Sequence, residues 1–122
     1  MIEIERANTI VYCDAWAATV AFYREVLGLD VSFENDWFVE FSVGPGSYLS
    51  VADARRSSID AGDGTGLTIS LRVSDVTEVR STLLDAGVDV GAIGTRFGSP
   101  VVEVLDPSGN RLEFWSSATP TT

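Results

Sequence analysis

Apolar positions run through the same succession of periods twice along the chain: alternating, then helical, then alternating again. Thr9 to Cys13 is rich in β-branched and aromatic residues and predicts a strand. Trp16, Val20, Tyr23 and Leu27 then recur at spacings of four, three and four, an apolar stripe on one helix face that Phe22 and Val26 widen. Asp14 stands ahead of the stripe as the expected N-cap, because its carboxylate accepts the free amide protons of a first turn. Gly28 follows in the left-handed position where helices end. The second copy begins with a strand over Leu67 to Val73. Asp75 is its cap, with Ser74 competing; Val76, Val79, Leu83 and Ala86 are its stripe, and Gly87 its stop. The two expected caps lie 61 positions apart in a chain of 122 residues, which predicts an internal duplication.

Each copy continues with strands. Asp30 to Phe33 and Trp37 to Val43 read as a hairpin about Asn35-Asp36, and Gly44-Pro45-Gly46 turns the chain into Ser47 to Ala52. In the second copy Val88 to Val90 begins a short strand, Val101 to Leu105 is another, and Asn110 to Trp115 follows the turn Asp106-Pro107-Ser108-Gly109. Each half therefore reads strand, helix, strand, strand, strand. Module one is 7–53 and module two 67–116, within one domain spanning 1–122. Neither module buries much surface alone, so each is expected to pack on the other or on a partner chain. Residues 54–66 have no periodicity and read as a linker. Residues 1–6 alternate and are expected either to extend the first strand or to pair at an edge, and Ser116 to Thr122 reads as a frayed tail. Gly91 to Ser99 is a glycine-rich loop without the lysine or following helix of a phosphate loop.

Composition narrows the function classes. The chain has 18 acidic residues, eight arginines, no lysine and no histidine, for a net charge of −10. Such a balance opposes binding to nucleic acid and to anionic membrane surfaces, and it favours solubility or a cationic ligand. No apolar run approaches the ~20 residues that cross a bilayer, and MIEIER is not the start of a signal peptide. The single cysteine, Cys13, excludes an internal disulfide, and the expected compartment is the cytoplasm. Cys13 lacks a histidine partner and is expected to be a small buried hydrophobe.

DAWAATVAFYREVLGLDV, SDVTEVRSTLLDAGVDV and DPSGNRLEFW, in that order and spacing, resemble the glyoxalase, bleomycin-resistance and extradiol-dioxygenase superfamily with its vicinal oxygen chelate fold. The resemblance covers about residues 7–116. It implies an α+β fold of two βαβββ modules, each a half-open barrel around a cavity, and a homodimer. It also implies metal ligands on the first and last strands of each module. Counting from the capping aspartates and turn glycines, these positions fall on Ala7, Ser50, Thr68 and Glu113. Only Glu113 is a good donor, and with no histidine a facial triad of two histidines and a carboxylate is excluded. No cofactor and no metal are expected. A carboxylate site of Glu113 with Glu103 or Glu40 stays open as an alternative.

Strand alternation then sorts side chains onto faces. Ala7, Thr9 and Val11 are expected toward the cavity, with Ile10 and Tyr12 under the helix. Phe38, Glu40, Tyr48, Ser50, Thr68, Arg72, Glu103, Arg111, Glu113 and Trp115 complete the expected ligand-binding set, with the arginines also candidates for internal pairing with the glutamates. Aromatic walls with few charged groups suit a small molecule, and no nucleophile–base pair is among them. The expected function is metal-free binding of bleomycin-resistance type, sequestering an aromatic compound that the net charge allows to be cationic, and the reading leans against an enzyme. The alternative is a glyoxalase-like lyase or isomerase using Glu113 as base or in an unusual metal site.

Overall fold

The computed structural model describes residues 1–117; most of the expected frayed tail, 118–122, lies outside the described residues. The chain divides into two compact units, Met1–Asp63 and one beginning at Gly64. Each is a four-stranded mixed sheet carrying one α-helix, so the α+β architecture of two βαβββ modules is present.

In the first unit, β1 (Ala7–Cys13) leads into α1 (Trp16–Ala21), whose last part widens into a π turn over Phe22–Val26. β2 (Asp30–Glu34), β3 (Phe38–Gly44) and β4 (Ser47–Asp53) follow. The sheet order is β1-β4-β3-β2, with β1 parallel to β4 and the other pairs antiparallel. One face is the core: Val11, Cys13, Val39, Phe41, Leu49 and Val51 are all buried, as are Thr19, Val20, Phe22 and Tyr23 of the helical segment. Each large side chain among them contributes ~1.5–3 kcal/mol by leaving water. The Tyr23 ring meets Phe22 edge-on at 5.3 Å and Phe41 at 5.9 Å. Trp16 Nε1 donates to the Val51 carbonyl at 3.0 Å, tying the start of α1 to β4.

Asp14 does not cap α1. The N-cap is Ala15, which makes no side-chain bond there. Its carbonyl instead accepts both the Thr19 amide at 3.0 Å and the Thr19 hydroxyl at 2.7 Å. The strand runs on through Cys13, so Asp14 falls in the bend between the two elements. Gly28 does terminate the helical segment at φ +67°.

In the second unit, β5 (Thr68–Arg72) precedes α2 (Val76–Asp85), and β6 (Gly94–Arg96), β7 (Ser99–Leu105) and β8 (Arg111–Trp115) complete the order β5-β8-β7-β6. Here the expected cap holds: Asp75 Oδ1 accepts the Thr77 amide at 2.9 Å, and Gly87 ends the helix at φ +77°. Val76 and Leu83 are buried, with Val102, Val104, Leu112 and Phe114 on the core face of the sheet, whereas Ala86 is exposed. The helices start at Trp16 and Val76, sixty positions apart, not at the 61 of the aspartates. Gly28 and Gly87 are 59 apart, because the π turn gives the first helical segment one extra residue.

Two expected elements differ. No strand forms over Val88 to Val90; β6 lies instead at Gly94–Arg96, inside the stretch read as a glycine-rich loop. Phe97 and Gly98 take φ +52° and +78°, a two-residue left-handed turn that folds Gly94–Arg96 back onto β7. Residues 1–6 are exposed and form no strand.

Candidate functional site

The sheet face away from the core carries the polar side chains of each unit. In the first unit the parallel register sets Asn8 beside Tyr48 and Ile10 beside Ser50, and the antiparallel register sets Ser50 beside Glu40 and Ala52 beside Phe38. β1 therefore presents the opposite set from the one expected. Asn8 lies on this face, while Val11 is buried in the core and Ile10 is exposed. Ala7, Thr9 and Val11 are thus not the open-face set, and Ile10 and Tyr12 are not under the helix. Counting from Asp14, which is one residue short of the true cap, produced the inversion, since one step along a strand exchanges its faces.

These residues form a closed network. Ser50 Oγ donates to Asn8 Oδ1 at 2.8 Å, and Asn8 Nδ2 donates to Glu40 Oε2 at 3.1 Å. Arg6 donates to Glu40 Oε1 at 2.9 Å and Ser32 Oγ donates to the same oxygen at 2.8 Å. Burial works to raise the Glu40 carboxyl, but the donors Arg6 and Ser32 and the Arg6 charge outweigh it and hold it below the usual range. The Arg6 guanidinium also lies 3.8 Å above the Tyr48 ring. Phe38 touches Trp37 and Phe33, at 5.6 and 6.3 Å between ring centres.

In the second unit the face is the expected one. Thr68 pairs with Arg111, Ser70 with Glu113 and Arg72 with Trp115, while Glu103 stands directly across from Glu113. Arg96 bridges the two carboxylates, its Nη2 2.5 Å from Glu103 Oε1 and its Nη1 2.8 Å from Glu113 Oε2. Arg111 donates to the same Glu103 oxygen at 2.5 Å, and Ser70 Oγ lies 3.4 Å from Glu113 Oε1. The Arg111 hydrogen bond, against burial and with the Arg111 and Arg96 charges assisting, holds the Glu103 carboxyl low. Arg72 makes no glutamate pair: it donates to Ser117 Oγ at 2.6 Å and lies 5.4 Å from the Trp115 ring. An open cleft of about 460 Å³ is lined by Val88, Asp89, Glu103, Val104, Leu105 and Arg111. Cys13 is wholly buried.

Arg6 and Arg96 were missing from the sequence-derived set. Arg96 was legible in principle, since Phe97-Gly98 is the X-Gly form of a two-residue hairpin turn, which lays Arg96 alongside β7. Arg6 had no local signal.

The family model for the Glyoxalase/Bleomycin resistance protein/Dioxygenase superfamily matches residues 6–114. The chain belongs to this superfamily. A search of the curated proteins finds no match. Among solved structures, the chain is similar to a lactoylglutathione lyase from Agrobacterium tumefaciens, with 23% identity, a TM-score of 0.75, and coverage of 91% of this chain and 92% of that one. It is similar to a glyoxalase / bleomycin resistance protein from Catenulispora acidiphila, with 24% identity, a TM-score of 0.73, and coverage of 92% and 97%. It is also similar to TnmS3, an antibiotic binding protein from Streptomyces sp. CB03234, with 19% identity, a TM-score of 0.76, and coverage of 99% and 98%. At these identities the likeness is one of fold.

The superfamily's metal positions do not fit a metal in this chain. Of the positions that the resemblance marks, Ala7 lies off the open face, where Asn8 stands instead, and Ser50, Thr68 and Glu113 remain. Asn8 and Ser50 bond each other, and Glu113 is held by Arg96 and Ser70. Among the described residues no three His, Cys, Asp or Glu side chains gather as a ligand set. The Glu103–Glu113 pair already has a guanidinium across it. No helix among the described residues is long and apolar enough to cross a membrane.

Proposed function

We propose that this superfamily member is a small-molecule binding protein that sequesters a flat aromatic compound without making or breaking bonds. One observation carries this reading: the polar groups on the open sheet faces are tied to one another, and aromatic rings stand beside them. Both Glu113 oxygens have partners in Ser70 and Arg96, which argues against that carboxylate as a general base. Trp115, with Arg72 beside it, and Tyr48, under Arg6, offer stacking surfaces. The fold likeness to an antibiotic binding protein points the same way.

The ligand's charge follows from the second unit. Arg96 and Arg111 are paired with Glu103 and Glu113 there, whereas Arg72, beside the Trp115 ring, donates to Ser117 and pairs with neither glutamate. That favours an aromatic with an acidic group over the cationic compound that the total charge suggested. Tryptophan-fluorescence titration with anthraquinone-2-sulfonate and with cationic acridine orange tests the reading. Saturable binding of the sulfonate at micromolar concentration is expected, weakened roughly tenfold in Trp115→Leu for about 1.4 kcal/mol of lost stacking. Absence of saturable binding by either compound overturns it. Light scattering on the same samples tests the homodimer.

A further inference from the structure

β7 is longer than the strand beside it. β6 pairs with it only from Gly94, opposite Val101, to Arg96, opposite Ser99. On the other side the Asp106 amide donates to the Asn110 carbonyl and the Ser116 amide to the Pro100 carbonyl, so the even-numbered residues of β7 bond β8. Backbone bonding alternates sides along an antiparallel strand. The N–H and C=O groups of Glu103 and Leu105 therefore point away from β8, past the end of β6. Among the described residues no strand and no other backbone group bonds them there. The β6 register, continued, sets Ala92 and Val90 opposite them, but the chain is drawn off: the Gly91 carbonyl accepts Arg80 Nε at 2.8 Å, and Val90 is buried. The open cleft of about 460 Å³ follows this bare edge, with Glu103, Val104 and Leu105 on one side and Val88 and Asp89 on the other. Leu105 is 60% exposed, and Asp89, exposed at the rim, pairs with no arginine among the described residues.

We propose that the β7 edge binds an extended peptide segment carrying a basic residue, added as a strand in the place that β6 leaves open. An uncovered edge is a template for another strand, and its donor and acceptor groups recognise a peptide backbone. Leu105 and Val88 take an apolar side chain of the peptide, and Asp89 takes the basic one. The chain's net charge of −10 favours the same partner. The edge site is independent of aromatic binding at Trp115, which stands opposite Val101, four residues along β7 from Leu105.

The probe is acetyl-Thr-Val-Lys-Val-Thr-amide, titrated at moderate salt into the isotopically labelled full chain and read by NMR. The expected result is saturable shifts of the Glu103 and Leu105 amides, with at least tenfold slower exchange of both with solvent. Alternate N–H groups of a strand point to one side. Of two N-methylated analogues, one methylated at the first, third and fifth residues and one at the second and fourth, one is therefore expected to lose at least tenfold in affinity and the other to keep it. Asp89→Lys and Leu105→Asp, both at exposed positions, are each expected to weaken the parent peptide at least tenfold. Unmoved Glu103 and Leu105 amides overturn the proposal, as do two analogues that behave alike or unchanged affinity in both variants. Protection of the two amides that grows with protein concentration in the absence of peptide also overturns it, because a second copy is then the occupant. The wild type with the three peptides decides the matter if a variant does not fold.

Discussion

Ser50 Oγ donates a hydrogen bond to Asn8 Oδ1 at 2.8 Å, joining two strands distant in sequence and setting the Asn8 amide to reach Glu40. Ser50 is fully buried, so removing its hydroxyl takes from the part-buried Asn8 Oδ1 its donor. Ser50→Ala is expected to lose about 1–3 kcal/mol in urea unfolding. A cycle with Asn8→Ala is expected to show a coupling on the order of 0.5 kcal/mol or more; strictly additive losses would show that the two side chains act separately.

Glu40, Asp53 and Glu103 all have carboxyls held below their ordinary values of 4.5 and 3.8, with Arg55 serving Asp53 as Arg6 and Arg111 serve the glutamates. A depressed folded value means the unfolded chain takes up protons first as pH falls. Their contribution is therefore complete above those ordinary values, and is lost as pH drops through the folded ones. Urea midpoints measured from neutral pH to below 4 are expected to fall over that acid range. Arg6→Gln is expected to raise the Glu40 carboxyl, because burial then acts with less opposition, and to leave Glu103 unmoved in an NMR titration.

Asp106 is buried in the β7–β8 turn and accepts the amides of Ser108 and Asn110 and the Asn110 side-chain amide, each at 2.9 Å. Asp106→Ala strands three donors, so a loss at the upper end of about 1–3 kcal/mol or beyond is expected. Thermal unfolding measures it, and Asp106→Asn, which keeps an acceptor oxygen, is expected to recover part of the loss.

Gly64 approaches the same turn. A Cβ there would stand 2.2 Å from the Gly109 carbonyl oxygen, at a φ of +78°. Gly64→Ala is therefore expected to destabilise by more than the ~1 kcal/mol of backbone strain alone, whereas Gly66→Ala, with open space around it, is expected to change little. Comparing the two unfolding midpoints separates the clash from general loop stiffening.

The repeat, the Asp75 cap, the stops at Gly28 and Gly87 and the Asp106 turn were legible in the sequence. Each rests on short-range chemistry: a period, a carboxylate near free amides, or a residue tolerating positive φ. The face assignment of β5 was legible for the same reason, because Asp75 is a true cap and the count from it kept step, and that of β8 was legible from the turn glycine Gly109. On β1 the count began from Asp14, one residue from the cap, and every side chain changed face. Only the paired sheet decides that parity, since it depends on where β1 meets β4 and a single strand carries no such reference. The partners of Glu40 and Glu113 belong to the tertiary structure too. Arg6 is 34 residues from Glu40 and Arg96 is 17 from Glu113, and neither pairing has a local pattern. The sequence therefore determined the modules and the poverty of metal donors. Long-range folding determined which carboxylates meet, and that arginines stand between them.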